Sequence, residues 1–309
     1  MRERDPEYDR FGPWVIEISE LDPPPPLFLP YLTREELPLL SIKIPRKIDR
    51  RNARPGMNMY DYMVTLYETD MVIFERDGDD VRSQTFFYRD VHLLRYGTTL
   101  LRGNLHLGMV GKVYDLPFNT VSSDVMQKLV DLIRQRYTTV VGHMALEEEP
   151  DFSDEDLSFF FSRLLAKEKK QNPQLRLLAS QIETAVGSYE TGFFRRHLFG
   201  VIKKLLLESL HLSDGRELKI ISRDKTYRYK WQVIHGQDTS YIPIDNITGV
   251  TWEAEPKNTA VYHLTLQTAG GNVSFAFVRE NPSLPSYARF LSELYGLPDG
   301  SNADMEPLR

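Results

Sequence analysis

Polar and apolar positions begin to alternate at Leu39. In "LLSIKI", Leu40, Ile42 and Ile44 fall on one face, which predicts a strand with a buried side. "YMVTLYE" (62–68) and "MVIFER" (71–76) predict a hairpin turning at Thr69-Asp70, and "DGDD" (77–80) predicts the next turn. Further strands are expected at 81–88, 91–96, 99–107 and 110–116. The period then becomes helical. In "SSDVMQKLVDLIRQRY" the residues Val125, Leu129, Leu132, Ile133 and Tyr137 share a face, with Ser122 or Ser123 as the cap. Several short strands closed by one amphipathic helix are thus expected over 39–138.

An acidic stretch, "EEEP", follows and reads as a linker. Three helices are predicted next. The first starts near Ser153 with acidic residues, ends in Lys167, Lys169 and Lys170, and carries Leu157, Phe160, Phe161, Leu164 and Leu165. Asn172 and Pro173 open the second, to Val186, and "FFRRHLFGVIKKLL" supplies the third. Strand grammar resumes in "LLLESLHL", "ELKIIS", "YRYKWQVI", "YIPIDNITGV", "AVYHLTLQT" and "NVSFAFV". "LPSYARFLSELYG" ends the second β region as a helix. Residues 1–12 are expected to be loose, and the four prolines of "LDPPPPLFLP" predict a stiff, extended connection.

Two stretches share a grammar. "FFYRDVHLL" (86–94) and "YIPIDNITGV" (241–250) each run from a strand through a polar pair, Arg89-Asp90 or Asp245-Asn246, into the next strand. A hairpin and a helix follow in both cases, which points to a duplicated unit. This order resembles the pleckstrin-homology superfold, especially the bacterial pleckstrin-homology-like domains. The resemblance implies a mainly β, α+β protein: two antiparallel barrel or sandwich units, each closed by a C-terminal helix and joined by a helical segment. The expected organisation is an N-terminal extension (1–38), a first unit (39–138), a linker and helical segment (139–202), a second unit (203–297) and a tail (298–309). Lipid-binding members of that family use a basic loop between their first two strands. Here the corresponding turns are read as Thr69-Asp70, without a basic residue, and Ser213–Glu217, with Arg216 alone. That departure argues against phosphoinositide binding.

Composition narrows the function further. Of 309 residues, 41 % are hydrophobic and 27 % charged, as in ordinary globular proteins. A net charge of −6 argues against general nucleic-acid binding. Cysteine is absent, which excludes disulfides and thiolate metal sites and fits a cytoplasmic setting. No secretory leader and no membrane-spanning run is expected.

Catalytic signatures are missing. There is no Gly-x-Ser-x-Gly elbow and no His-Glu-x-x-His pair, and "GNLHLGMVGK" (103–112) lacks the phosphate-loop spacing. "DGDD" opens like a calcium loop, but Tyr88 stands where the closing Glu belongs. His211, His235 and His263 are too dispersed to predict a metal site. No cofactor and no metal is expected. Two basic segments remain as candidate binding residues. One is "PRKIDRRNARPG" with Arg46, Lys47, Arg50, Arg51 and Arg54; the other is "SRDKTYRYKW" with Arg223, Lys225, Arg228 and Lys230. In the second, strand alternation places Tyr227, Tyr229 and Trp231 opposite Arg228 and Lys230.

The first functional reading is a non-enzymatic scaffold that works through protein contacts and self-association as a homodimer. The alternative is a module binding an anion or a phospholipid headgroup at a membrane surface. An enzyme with an unrecognised site is the third.

Overall fold

The computed structural model describes residues 6–138, 157–189, 202–229, 232–256 and 258–295. The chain divides into two compact units, Met1–Val140 and Val141–Arg309. Strands make up 48 %, and all pair antiparallel within each unit, so the mainly β, α+β class holds. No sheet closes into a barrel among the described residues.

In the first unit α1 (Pro6–Arg10) precedes β1 (Ile16–Glu17). Strands β2 (Leu40–Pro45), β3 (Tyr60–Leu66), β4 (Asp70–Asp77) and β5 (Asp80–Phe87) then pair in chain order. Ile42, Val64 and Ile73 are in register on one face, Lys43, Met63 and Phe74 on the other. Both faces are buried. The second is covered by the N-terminal segment, whose Phe11 and Phe28 pack with Met59, Met63 and Phe74. Residues from Pro6 onward are therefore not loose as expected. The prolines form part of a strap: Pro25 O accepts Phe28 N–H at 2.9 Å, and the Lys43 ammonium donates to Pro23 O at 2.9 Å.

A 3-10 turn at Tyr88–Asp90 leads into β6 (Val91–Thr99), β7 (Arg102–Met109) and β8 (Lys112–Asn119), a three-stranded meander. Asp90 explains the polar pair: its carboxylate accepts the Phe87 N–H at 3.2 Å, and its carbonyl accepts Val110 N–H at 3.0 Å. His92 is skipped by the β6–β7 ladder, which makes a bulge there. After a second 3-10 turn, Thr120–Ser122, helix α2 (Ser123–Thr138) buries Met126, Leu129, Val130, Ile133 and Tyr137. Met126 and Val130 take the place expected for Val125 and Leu132, a small rotation of the buried stripe.

The second unit opens with α3 (Phe159–Gln171), capped by Ser158 and not near Ser153. The helix predicted from Pro173 to Val186 is instead two strands, β9 (Arg176–Gln181) and β10 (Thr184–Tyr189). Leu, Ala and Gln favour helix, yet pairing of β9 with a neighbouring strand and burial on both faces override that preference. The third predicted helix lies largely outside the described residues, and its end is strand β11 (Ile202–Leu206). Strands β12 (Ser209–Ser213), β13 (Glu217–Arg223), β14 (Tyr227–Tyr229) and β15 (Gln237–Pro243) follow. β9, β12, β13 and β15 form one antiparallel sheet, and β10, β11 and β14 another. Helix α3 lies on the first of these through Phe161 and Leu165, against Leu177, Leu210, Leu212 and Ile221.

A 3-10 turn at Ile244–Asn246 then enters the meander β16 (Ile247–Glu255), β17 (Asn258–Thr268) and β18 (Gly271–Val278), followed by α4 (Leu284–Tyr295). The β16–β17 ladder skips Thr248, and Asn246 O accepts Ala269 N–H at 3.3 Å.

Candidate functional site

The pairing of β2 with β3 places the first basic segment in the 46–59 loop between them. The turn at Thr69-Asp70 joins β3 to β4, so the loop between β2 and β3 is 46–59 and not the Thr69-Asp70 turn expected to follow the first strand of the hairpin pair. Arg46 N–H donates to Met59 O at 2.8 Å and closes the loop at its base. Ala53 is buried and Ile48 packs beside it in the core, so the loop is anchored from below. Arg51 meets Asp49 at 2.8 Å with both side chains exposed, a contact of little energetic weight. Lys47 and Arg54 are exposed and Arg46 is half-buried; none of the three has a carboxylate partner among the described residues. The Arg50 side chain lies outside the described set.

Beside the loop is a cavity of about 460 Å³ between the proline strap and β2–β3, lined in part by Lys43, Met57, Asn58 and Tyr60. Lys43 sits 5.0 Å from the Tyr60 ring. Burial, reinforced by Glu7 and Asp22, pushes the Tyr60 phenol up to about 12, so it stays a neutral hydrogen-bonding group.

The second basic segment is organised differently. Arg223 stacks on Phe160 and Phe161 at 4.6 and 5.3 Å and reaches Glu208 at 3.4 Å. Arg228 grips Glu183 with two hydrogen bonds of 2.8 and 2.6 Å and donates to Gln232 O at 3.0 Å. These guanidinium groups join elements of the second unit and are already matched by carboxylates. Lys225 is exposed; Lys230 and Trp231 lie outside the described residues. The two basic segments belong to different units.

Tyr227 heads a polar cluster that the sequence did not reveal. Its hydroxyl donates to Glu255 at 2.5 Å, Lys204 lies 3.7 Å over its ring, and His263 stands 3.7 Å from Glu255. Hydrogen bonding by Tyr227, then the charges of Lys204 and His263, hold Glu255 below the usual carboxylate range. The residues come from β11, β14, β16 and β17, so no local motif announces them.

His211 does not meet His263 as a metal pair. It is fully buried, with Tyr287 Oη 3.1 Å from Nδ1 and Ser209 Oγ 3.3 Å from Nε2. Phe275 and Phe277 close its ring in. A Ser–His contact of this kind has nucleophilic potential only where substrate can reach it. Here it serves the core. His106 pairs with Asp115 at 3.0 Å, and the glycine-rich stretch around it forms β7 and a turn at Gly111. Among the described residues no group of three or more His, Asp or Glu is placed to hold a metal, and no helix is long and apolar enough to cross a membrane. No protein-family model matches this chain, and no curated protein matches it.

Proposed function

We propose that the protein is a non-enzymatic interaction scaffold built from two pleckstrin-homology-like modules, and that it self-associates in the cytoplasm. One observation carries this reading. In both units an antiparallel sheet leads through a 3-10 turn into a three-stranded meander and a helix; the first sheet pairs in chain order as β2–β5 in one unit, and in the other it is β9, β12, β13 and β15, with β10, β11 and β14 set aside in a separate sheet. In both, the ladder after the turn skips its second residue, His92 or Thr248, and the turn's last carbonyl accepts a hydrogen bond from the next hairpin. A shared bulge at a shared position supports descent from one module more strongly than strand counts do. Among the described residues the Ser209–His211 contact is buried and Arg223 and Arg228 are held by carboxylates, so neither group is offered to a substrate. Light scattering on the full chain is the test: a dimer or larger species is expected, and a strict monomer at high concentration contradicts self-association.

A second reading is favoured by the 46–59 loop. Arg46, Lys47 and Arg54 stand between the first two strands of the first module without carboxylate partners among the described residues. This arrangement supports recognition of an anionic surface or headgroup.

A further inference from the structure

We infer that Trp14, Leu100, Leu101 and Val121 form a bilayer-contacting end of the first unit, which dips into the headgroup region of an anionic membrane beside the basic 46–59 loop. The electrostatic half of this inference rests on the anionic-surface reading above; the apolar half does not.

Leu100 and Leu101 form the tip of the β6–β7 hairpin and are 72 % and 67 % exposed; Val121 is 66 % and Trp14 46 % exposed. Three hydrogen bonds hold them together. Thr120 donates its N–H to Leu101 O at 3.2 Å and its hydroxyl to Leu100 O at 3.0 Å, while Val15 N–H donates to Ser122 Oγ at 2.9 Å. A single end of the unit therefore presents all four side chains. Each leaves apolar area in water that folding alone gives no reason to display together.

The tip is also strained. Leu100 has φ of 52°, the one positive value at a described residue other than glycine. Glycine or asparagine would relieve that backbone more easily. A leucine there, pointing into solvent, suits a partner that receives it. Trp14 is positioned with similar care: a Cβ at Gly12 would fall 1.4 Å from the indole, so the ring lies across a glycine.

Charge selects a bilayer as that partner. Arg102 is exposed directly after the tip. Pairing of Ile16 with Lys43 runs the chain from Trp14 alongside the end of β2, where Arg46 and Lys47 begin the basic loop. Trp at the rim, leucines at a projecting tip and cations alongside match the depth profile of a lipid interface: apolar beneath, aromatic at the boundary, anionic above.

The test uses the full chain with vesicles of equimolar phosphatidylcholine and phosphatidylglycerol. Binding at low salt is expected, with Trp fluorescence quenched by brominated lipid; W14F should lose that quenching. L100S/L101S should retain the wild-type melting curve and bind roughly tenfold more weakly or worse. R46Q/K47Q/R54Q should weaken binding while leaving Trp14 quenched in the bound fraction. If L100S/L101S binds like wild type and Trp14 is not quenched, the insertion falls while the anionic-surface reading stands. Equal binding to pure phosphatidylcholine removes the electrostatic half. Absence of vesicle binding overturns the inference, and loss of a dimer in L100S/L101S would then reassign the tip to self-association.

Discussion

Burial sets the behaviour of His211. Enclosed by Phe275, Phe277 and Tyr287, the ring has its folded pKa lowered from 6.5 to about 3 by burial. Below the unfolded value the unfolded chain binds a proton that the folded one refuses, so this contribution to stability is complete above 6.5 and is lost as pH falls toward 3. The loss should reach roughly 3 kcal/mol near about pH 4. Denaturant midpoints for wild type and H211Q across that range measure it: the variant should show a flatter acid dependence, and parallel curves would contradict the account. Residues of this kind were only half legible. Alternation correctly put Tyr227 and Arg228 on different sides of a strand, but their partners Glu255 and Glu183 lie on remote elements. Nothing local in "TYRYKW" encodes those carboxylates.

Among the elements, the covering layers matter most. In the second unit α3 lies on the sheet through Phe161 and Leu165, and the Glu168 carboxylate takes a hydrogen bond from Lys219 of β13 with both side chains nearly buried. Removing one charge from such a pair takes the nearest countercharge away from the other in a poorly solvated place. E168Q is therefore expected to destabilise the protein by about 1–3 kcal/mol, read as a lower urea midpoint. E168Q/K219M should recover part of that loss; an E168Q midpoint equal to wild type would show that the pair has no structural weight. Helix α2 was easy to foresee, because a long stripe from Leu129 to Tyr137 has one clear period. The strands β9 and β10 were not. In β9, burial on both faces erases the polar alternation that marks a strand, and the Leu, Ala and Gln of "LRLLASQ" then read as helix. The basic segment after β2 is legible in sequence as a loop, from its flanking prolines and its lack of an apolar period. Its meaning came from knowing which strand pairs with Leu40–Pro45.

At the scale of the whole chain, each unit has a covering segment ahead of its first sheet. The N-terminal strap supplies Phe11 and Phe28 in one, and α3 supplies Phe161 and Leu165 in the other. The matching turns at Tyr88–Asp90 and Ile244–Asn246 were foreshadowed in sequence by the polar pairs, and a matching bulge follows each turn. Sequence could not show the bulges, since a skipped residue in a ladder is visible only once its partner is known. On the proposed tandem-module reading, each copy should keep what it needs to fold within its own boundaries. Thermal unfolding of Met1–Val140 alone tests this most directly. A single cooperative transition with β-rich circular dichroism is predicted, and a chain that is unfolded or melts without cooperativity would contradict the tandem-module account.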